Sequence, residues 1–149
     1  MTNRSKKMLS ELDQKAQPLF MDFLLKLDTV LGDSQYIAHE GRRKIIVQEA
    51  YYAQGREKLE AVNEKRAAAG LFLLRSENDN YIITWTLKSR HIDGLAMDIV
   101  PVNGKGNPTW DMGHYWNKFV SIRDCGKEAG LICGADWKTP DWPHYEIKI

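Results

Sequence analysis

Cysteine is scarce in this chain of 149 residues: only Cys125 and Cys133 occur. Eight positions apart, they match neither a CxxC redox pair nor a zinc-knuckle spacing, and they read as buried free thiols rather than a disulfide framework. Long apolar runs are missing as well. No stretch approaches the roughly 20 apolar residues that a membrane helix needs, so membrane insertion is not expected. Charge of one sign is lacking too. Twenty-one Lys and Arg against 20 Asp and Glu leave a net charge of +1, which gives no support for a nucleic-acid or polyanion partner. The basic start, Met1 to Lys7, is not followed by an apolar signal core or a small-residue cleavage site. The expectation is therefore no signal peptide and a chain made and kept in a cytosol. Repeats and low-complexity tracts are absent.

What is present suits a soluble globular fold: 43% hydrophobic residues and a mean hydropathy of -0.48. The length predicts one domain over 1–149, large enough to bury a core without disulfides. Ser5 is expected to cap a short helix through Leu12. Pro18 suits the first turn of a second helix, in which Leu19, Phe20, Phe23, Leu24, Leu27, Val30 and Leu31 recur at three- and four-residue steps and Gly32 is the stop. Helices over residues 1–32 are expected to pack on a core formed by 36–149. Tyr36 to Glu40 reads as a strand, and a helix through Gln48 to Tyr52 ends near Gly55. A further helix covers Glu57 to Ala69 with Gly70 at its end. Tyr81 to Trp85, rich in β-branched and aromatic residues, reads as a strand. Gly94 to Val100 is another, His114 to Ala129 a helix, and Leu131 to Cys133 and Tyr145 to Ile149 the last strands. Helices followed by strands with one helix between them predict an α+β class with a small antiparallel sheet.

Within the strand from Gly94 to Val100, the two-residue period puts Gly94, Ala96 and Asp98 on one face and Leu95, Met97 and Ile99 on the other. An aspartate inside so apolar a strand is costly to bury unless it is paired or coordinates a cation. His91 stands seven residues before Asp98, and His144 follows 46 residues after it. Two imidazoles and a carboxylate are a ligand set for zinc that leaves a fourth position for water. Spacing alone also allows an ordinary reading, with His144 a hydrogen-bonded surface residue and Asp98 a turn acceptor. His39 and His114 fit no ligand pattern and read as structural or exposed. Asp93 and Asp136 read as loop acceptors.

The run Ser89-x-His91-x-x-Gly94-x-Ala96-x-Asp98, followed by Asp141-x-x-His144, resembles the zinc peptidases of the D-alanyl-D-alanine carboxypeptidase type, a group that includes phage and bacterial L-alanyl-D-glutamate endopeptidases. Upstream, Glu40-Gly41-Arg42-Arg43 through Gln48 to Tyr52-Ala53-Gln54-Gly55-Arg56 is similar to that family's E-x-Y-R-S-x-x-x-Q run. Thr84 to Lys88 and Gly134 to Lys138 also resemble their counterparts. Arg42 stands where an aromatic is usual and Lys44 where serine or threonine is usual, departures that bear on the loop beside Arg43.

The resemblance implies an α+β fold of the Hedgehog/D-Ala-D-Ala-peptidase kind, a small antiparallel sheet flanked by helices. It implies one zinc ion per chain on His91, Asp98 and His144, and Asp141 as general base and then acid. Arg43 would stabilise an oxyanion or hold a substrate carboxylate. Ser89 and Gln48 would orient substrate, although Gln48 could equally support the Arg43 loop. Trp137 and Trp142 could wall a cleft or simply pack. Tyr145 and Glu146 neighbour His144, and the sequence does not say which metal histidine they would steady. The expected activity is hydrolysis of the L-alanyl-D-glutamate bond of the peptidoglycan stem peptide by a monomeric endolysin. It would be made in the host cytoplasm and act on the cell wall after membrane permeabilisation. The alternatives are a D-Ala-D-Ala carboxypeptidase or dipeptidase, and a non-catalytic, zinc-stabilised binding domain.

Overall fold

The apolar stripe read over the second helix is the centre of the core. In a computed structural model that describes residues 1–149, Phe20, Phe23, Leu24 and Leu27 are all fully buried. They lie on α2 (Gln17–Val30), which has Pro18 in its first turn and Gly32 beyond its end at φ +92°. Before it, α1 (Asn3–Glu11) is capped by Thr2 rather than Ser5: the Thr2 Oγ1 accepts the Ser5 N–H at 3.1 Å. Ser5 sits three residues on, where its backbone N–H is one of the unpaired donors a cap must satisfy.

The class is α+β, with five α-helices and one four-stranded antiparallel sheet. The strands are β1 (Tyr36–Glu40), β2 (Ala96–Pro101), β3 (Ile132–Cys133) and β4 (His144–Glu146), in the order β1-β2-β4-β3. The chain divides into two compact units, residues 1–42 with 93–149, and residues 43–92.

In the first unit, alternation along the strands separates two faces. Leu95, Met97, Ile99 and Tyr145 join Leu9, Leu12, the α2 residues, and Ile122 and Cys125 of α5 (Met112–Glu128) in one core. Ala96, Asp98, His144 and Glu146 belong to the opposite face by the strand period. Register is what brings them together: Asp98 pairs with His144, Met97 with Tyr145, and Ala96 with Glu146. Gly94 enters β2 at φ +72°, and a Cβ there would come within 2.8 Å of the Asp13 backbone nitrogen. The Asp13 N–H donates to the Gly94 carbonyl at 3.0 Å, so the turn between α1 and α2 rests on this glycine.

The second unit is built on α3 (Ile45–Ala53) and α4 (Leu59–Ala68), with Val62 and Ala50 fully buried. Asn63 holds the returning chain by a reciprocal pair: its Oδ1 accepts the Leu74 N–H at 2.8 Å and its Nδ2 donates to the Leu74 carbonyl at 3.1 Å. The strand expected over Tyr81 to Trp85 does not form. High β-propensity describes residues that fit a half-buried pleated surface, and this segment has no neighbouring strand to supply one. It is fastened instead by side chains. Asn80 Oδ1 accepts the Gly55 N–H at 2.7 Å, and Gln48 Nε2 donates to the Thr86 carbonyl at 2.7 Å. Gly55, at φ +81°, lies so close that a Cβ would strike the Ile82 backbone. No helix is long and apolar enough to cross a membrane.

Candidate metal centre

The three proposed ligands are delivered by two local devices. Asp98 and His144 face one another across β2 and β4 as registered partners. The His144 Nδ1 lies 3.5 Å from Asp98 Oδ1, and its Nε2 lies 3.7 Å from Glu146 Oε1. His91 is carried by a turn in which the Ser89 Oγ accepts the His91 N–H at 3.2 Å and the Ser89 carbonyl accepts the Ile92 N–H at 3.1 Å. One ligating atom from each of His91, Asp98 and His144 lies within 4.8 Å of the others. His91 and His144 are buried and Asp98 is partly so.

The donor set fits zinc. Tetrahedral coordination with bonds of about 2.0–2.2 Å puts donors about 3.3–3.6 Å apart, and the Asp98–His144 separation already has that value. The local field is negative. Burial alone would lower the His144 pKa, but the neighbouring carboxylates of Asp98 and Glu146, with the charge of Asp141, outweigh it and raise it to about 9. Carboxylates that hold a proton on a buried imidazole when no metal is bound are the same charges that attract a divalent cation.

Asp141 is exposed, three residues before His144. Its loop is drawn onto Gly134, whose carbonyl accepts the Asp141 N–H at 2.8 Å, while the Asp141 carbonyl accepts the His144 N–H at 3.2 Å. A Cβ on Gly134 would collide with the Asp141 carbonyl and come within 3.1 Å of His144 Cβ. Asp136, in the short turn Gly134–Asp136, accepts Arg123 Nε at 2.8 Å, which anchors that turn to α5. Trp142 packs at 5.0 Å on Trp116 and at 6.4 Å on Phe119, fixing the loop from its other side. Trp137 is 39% exposed and its ring lies 5.0 Å from that of His144.

Arg43 is held by its own unit. Its N–H donates to the His91 carbonyl at 2.8 Å, its guanidinium Nη1 donates to Gln48 Oε1 at 2.6 Å, and it lies 5.0 Å from the centre of the Tyr51 ring. Gln48 is fully buried, with its amide engaged by Arg43 and the Thr86 carbonyl. His39 packs edge-on to Trp110, and His114 pairs with Asp111 at 2.7 Å. Neither belongs to the cluster of His91, Asp98 and His144. Tyr145 points into the helix-covered core, while Glu146 lies beside His144. The sequence named both as candidates, and only the alternation of β4 tells them apart.

Residues 83–147 match the family model described as D-alanyl-D-alanine carboxypeptidase. The L-alanyl-D-glutamate peptidase of Escherichia phage T5 is 42% identical over 65 residues, 41% of this chain and 46% of that protein. The chain thus matches about half the length of this curated relative. Among solved structures, the Serratia marcescens L-Ala D-Glu endopeptidase ChiX shares the fold, with a TM-score of 0.56 and 23% identity over 99% of this chain and 89% of that one. The zinc-bound E175A variant of the D,D-pentapeptidase VanY from a VanB-type resistance cassette lies further away, at TM-score 0.47 and 19% identity over 91% of this chain and 72% of that one.

Proposed function

We propose that this chain is a zinc-dependent peptidase that hydrolyses the L-alanyl-D-glutamate bond of peptidoglycan stem peptides, in the manner of an endolysin. The observation that carries the reading is the gathering of His91, Asp98 and His144, residues far apart in the chain, into one set of metal donors. The phage T5 relative is named an L-alanyl-D-glutamate peptidase and ChiX an L-Ala D-Glu endopeptidase, which favours the same bond.

In this reading His91, Asp98 and His144 hold one zinc ion per chain. When bound, the metal supplies Lewis acidity and lowers the pKa of water. Asp141, exposed on a loop clamped from two sides, takes the proton from the attacking water and returns it to the departing D-glutamate nitrogen. The planar guanidinium of Arg43 receives the developing oxyanion or a stem-peptide carboxylate. Gln48 keeps that guanidinium oriented, a role that suits its complete burial. Ser89 and Trp137 contact the substrate. The enzyme works as a monomer, is made in the host cytoplasm and acts on the cell wall after membrane permeabilisation.

Purified peptidoglycan digested with the zinc-loaded protein should release fragments with new D-glutamate amino ends, read by mass spectrometry. Released D-alanine would favour the second reading, a D-Ala-D-Ala carboxypeptidase, for which the description of the matching family model speaks. Asp141→Ala should retain zinc and lose about 10²–10⁴-fold in rate. Unchanged lysis by that variant would refute the mechanism and leave a zinc-stabilised binding domain as the alternative.

A further inference from the structure

The two ring nitrogens of His144 have different carboxylate neighbours. Nδ1 is turned to Asp98 at 3.5 Å and Nε2 to Glu146 at 3.7 Å. Register explains the second neighbour. Glu146 follows His144 by two residues on β4 and so shares its face of the sheet. Its cross-strand partners are Ala96 on β2 and Ile132 on β3. A methyl group on one side and an apolar chain on the other leave the carboxylate room to lean along its own strand toward the imidazole. The Glu146 side chain is only 12% exposed, so its charge acts on the imidazole with little screening by solvent. Asp98 cannot serve both ring nitrogens, because their in-plane bonding directions diverge widely.

We infer that Glu146 is a positioning residue for the metal centre, accepting the Nε2–H of His144 so that Nδ1 is the nitrogen presented to the cation. The inference rests on the zinc reading above. A carboxylate behind a ligating imidazole fixes its tautomer and its rotation and makes it a better donor. Glu146 itself does not touch the substrate.

The test uses the full chain, stripped of metal, and zinc titrated in competition with a chromophoric chelator. Glu146→Gln keeps the size and removes the charge, and zinc affinity should fall about 10- to 100-fold. Glu128→Gln, an exposed charge on the last turn of α5, should stay within about twofold of the parent. Nitrogen NMR of the zinc-loaded parent should show His144 protonated at Nε2 with Nδ1 on the metal, and this measurement decides the matter even if the variant does not fold. Parent-like affinity in Glu146→Gln, or a His144 bound through Nε2, would overturn the role of Glu146 alone. A parent protein that binds no zinc would refute the metal centre itself.

Discussion

Gly134→Ala tests how the loop carrying Asp141 is held. Gly134 does not have a positive φ, so alanine is conformationally allowed there. The difficulty is space. The added methyl would overlap the Asp141 carbonyl and reach 3.1 Å from His144 Cβ. Backbone is on the receiving side, so no flexible side chain can turn away. Restoring van der Waals separation requires the Asp141 loop to retreat by about 1 Å. Overpacking of this kind costs about 2 kcal/mol, which for a chain of this size lowers Tm by about 4–8 °C. A displacement of about 1 Å in a catalytic group costs about 10²-fold in rate. The expected result is therefore a folded protein, modestly destabilised, with hydrolysis reduced far more than its stability. Gly104→Ala is the control, since nothing lies within 4 Å of the added carbon. It should change stability by no more than about 0.5 kcal/mol. Differential scanning fluorimetry and release of soluble wall fragments read both quantities. Parent-like activity in Gly134→Ala would refute the claim that the clamp on Gly134 sets the position of Asp141 for the proposed hydrolysis.

The buried amide, the buried thiols and the His144 imidazole each carry further expected outcomes. Gln48→Leu removes the 2.6 Å bond from Arg43 and the 2.7 Å bond to the Thr86 carbonyl, and should cost about 2–3 kcal/mol in urea unfolding with a loss of turnover beyond the loss of stability. Burial pushes the Cys133 thiol to about 11 and raises that of Cys125. At pH 8 native labelling by a thiol reagent should be about 100-fold slower than in denaturant. The stability linked to Cys133 is present below the unfolded thiol's pKa of about 8.5 and is lost as pH climbs toward 11, which alkaline denaturation curves can check. Zinc must displace the proton that His144 holds up to about 9 in the metal-free protein. Affinity should accordingly fall as pH falls, and chelation should abolish wall hydrolysis, both read by metal titration beside a lysis assay.

The α2 stripe, the glycine stops, the α+β class and the three candidate metal donors were legible in the sequence. Each of these rests on local chemistry or on a period that a single segment carries within itself. Phe20, Phe23, Leu24 and Leu27 announce a buried face whatever they pack against, and Asp98 in an apolar strand announces a need for a partner. Tyr81 to Trp85 shows the limit. Its composition asks for a strand, but a strand exists only where another offers a ladder, and here Asn80, Gly55 and Gln48 hold the segment in another way. The registration of Asp98 with His144 across β2 and β4, the place of Glu146 and not Tyr145 beside the imidazole, and the approach of Gly134 to the Asp141 loop come from long-range packing. Pairing of strands and close approach of distant backbones depend on contacts between residues remote in sequence. No local pattern encodes which remote residue will arrive.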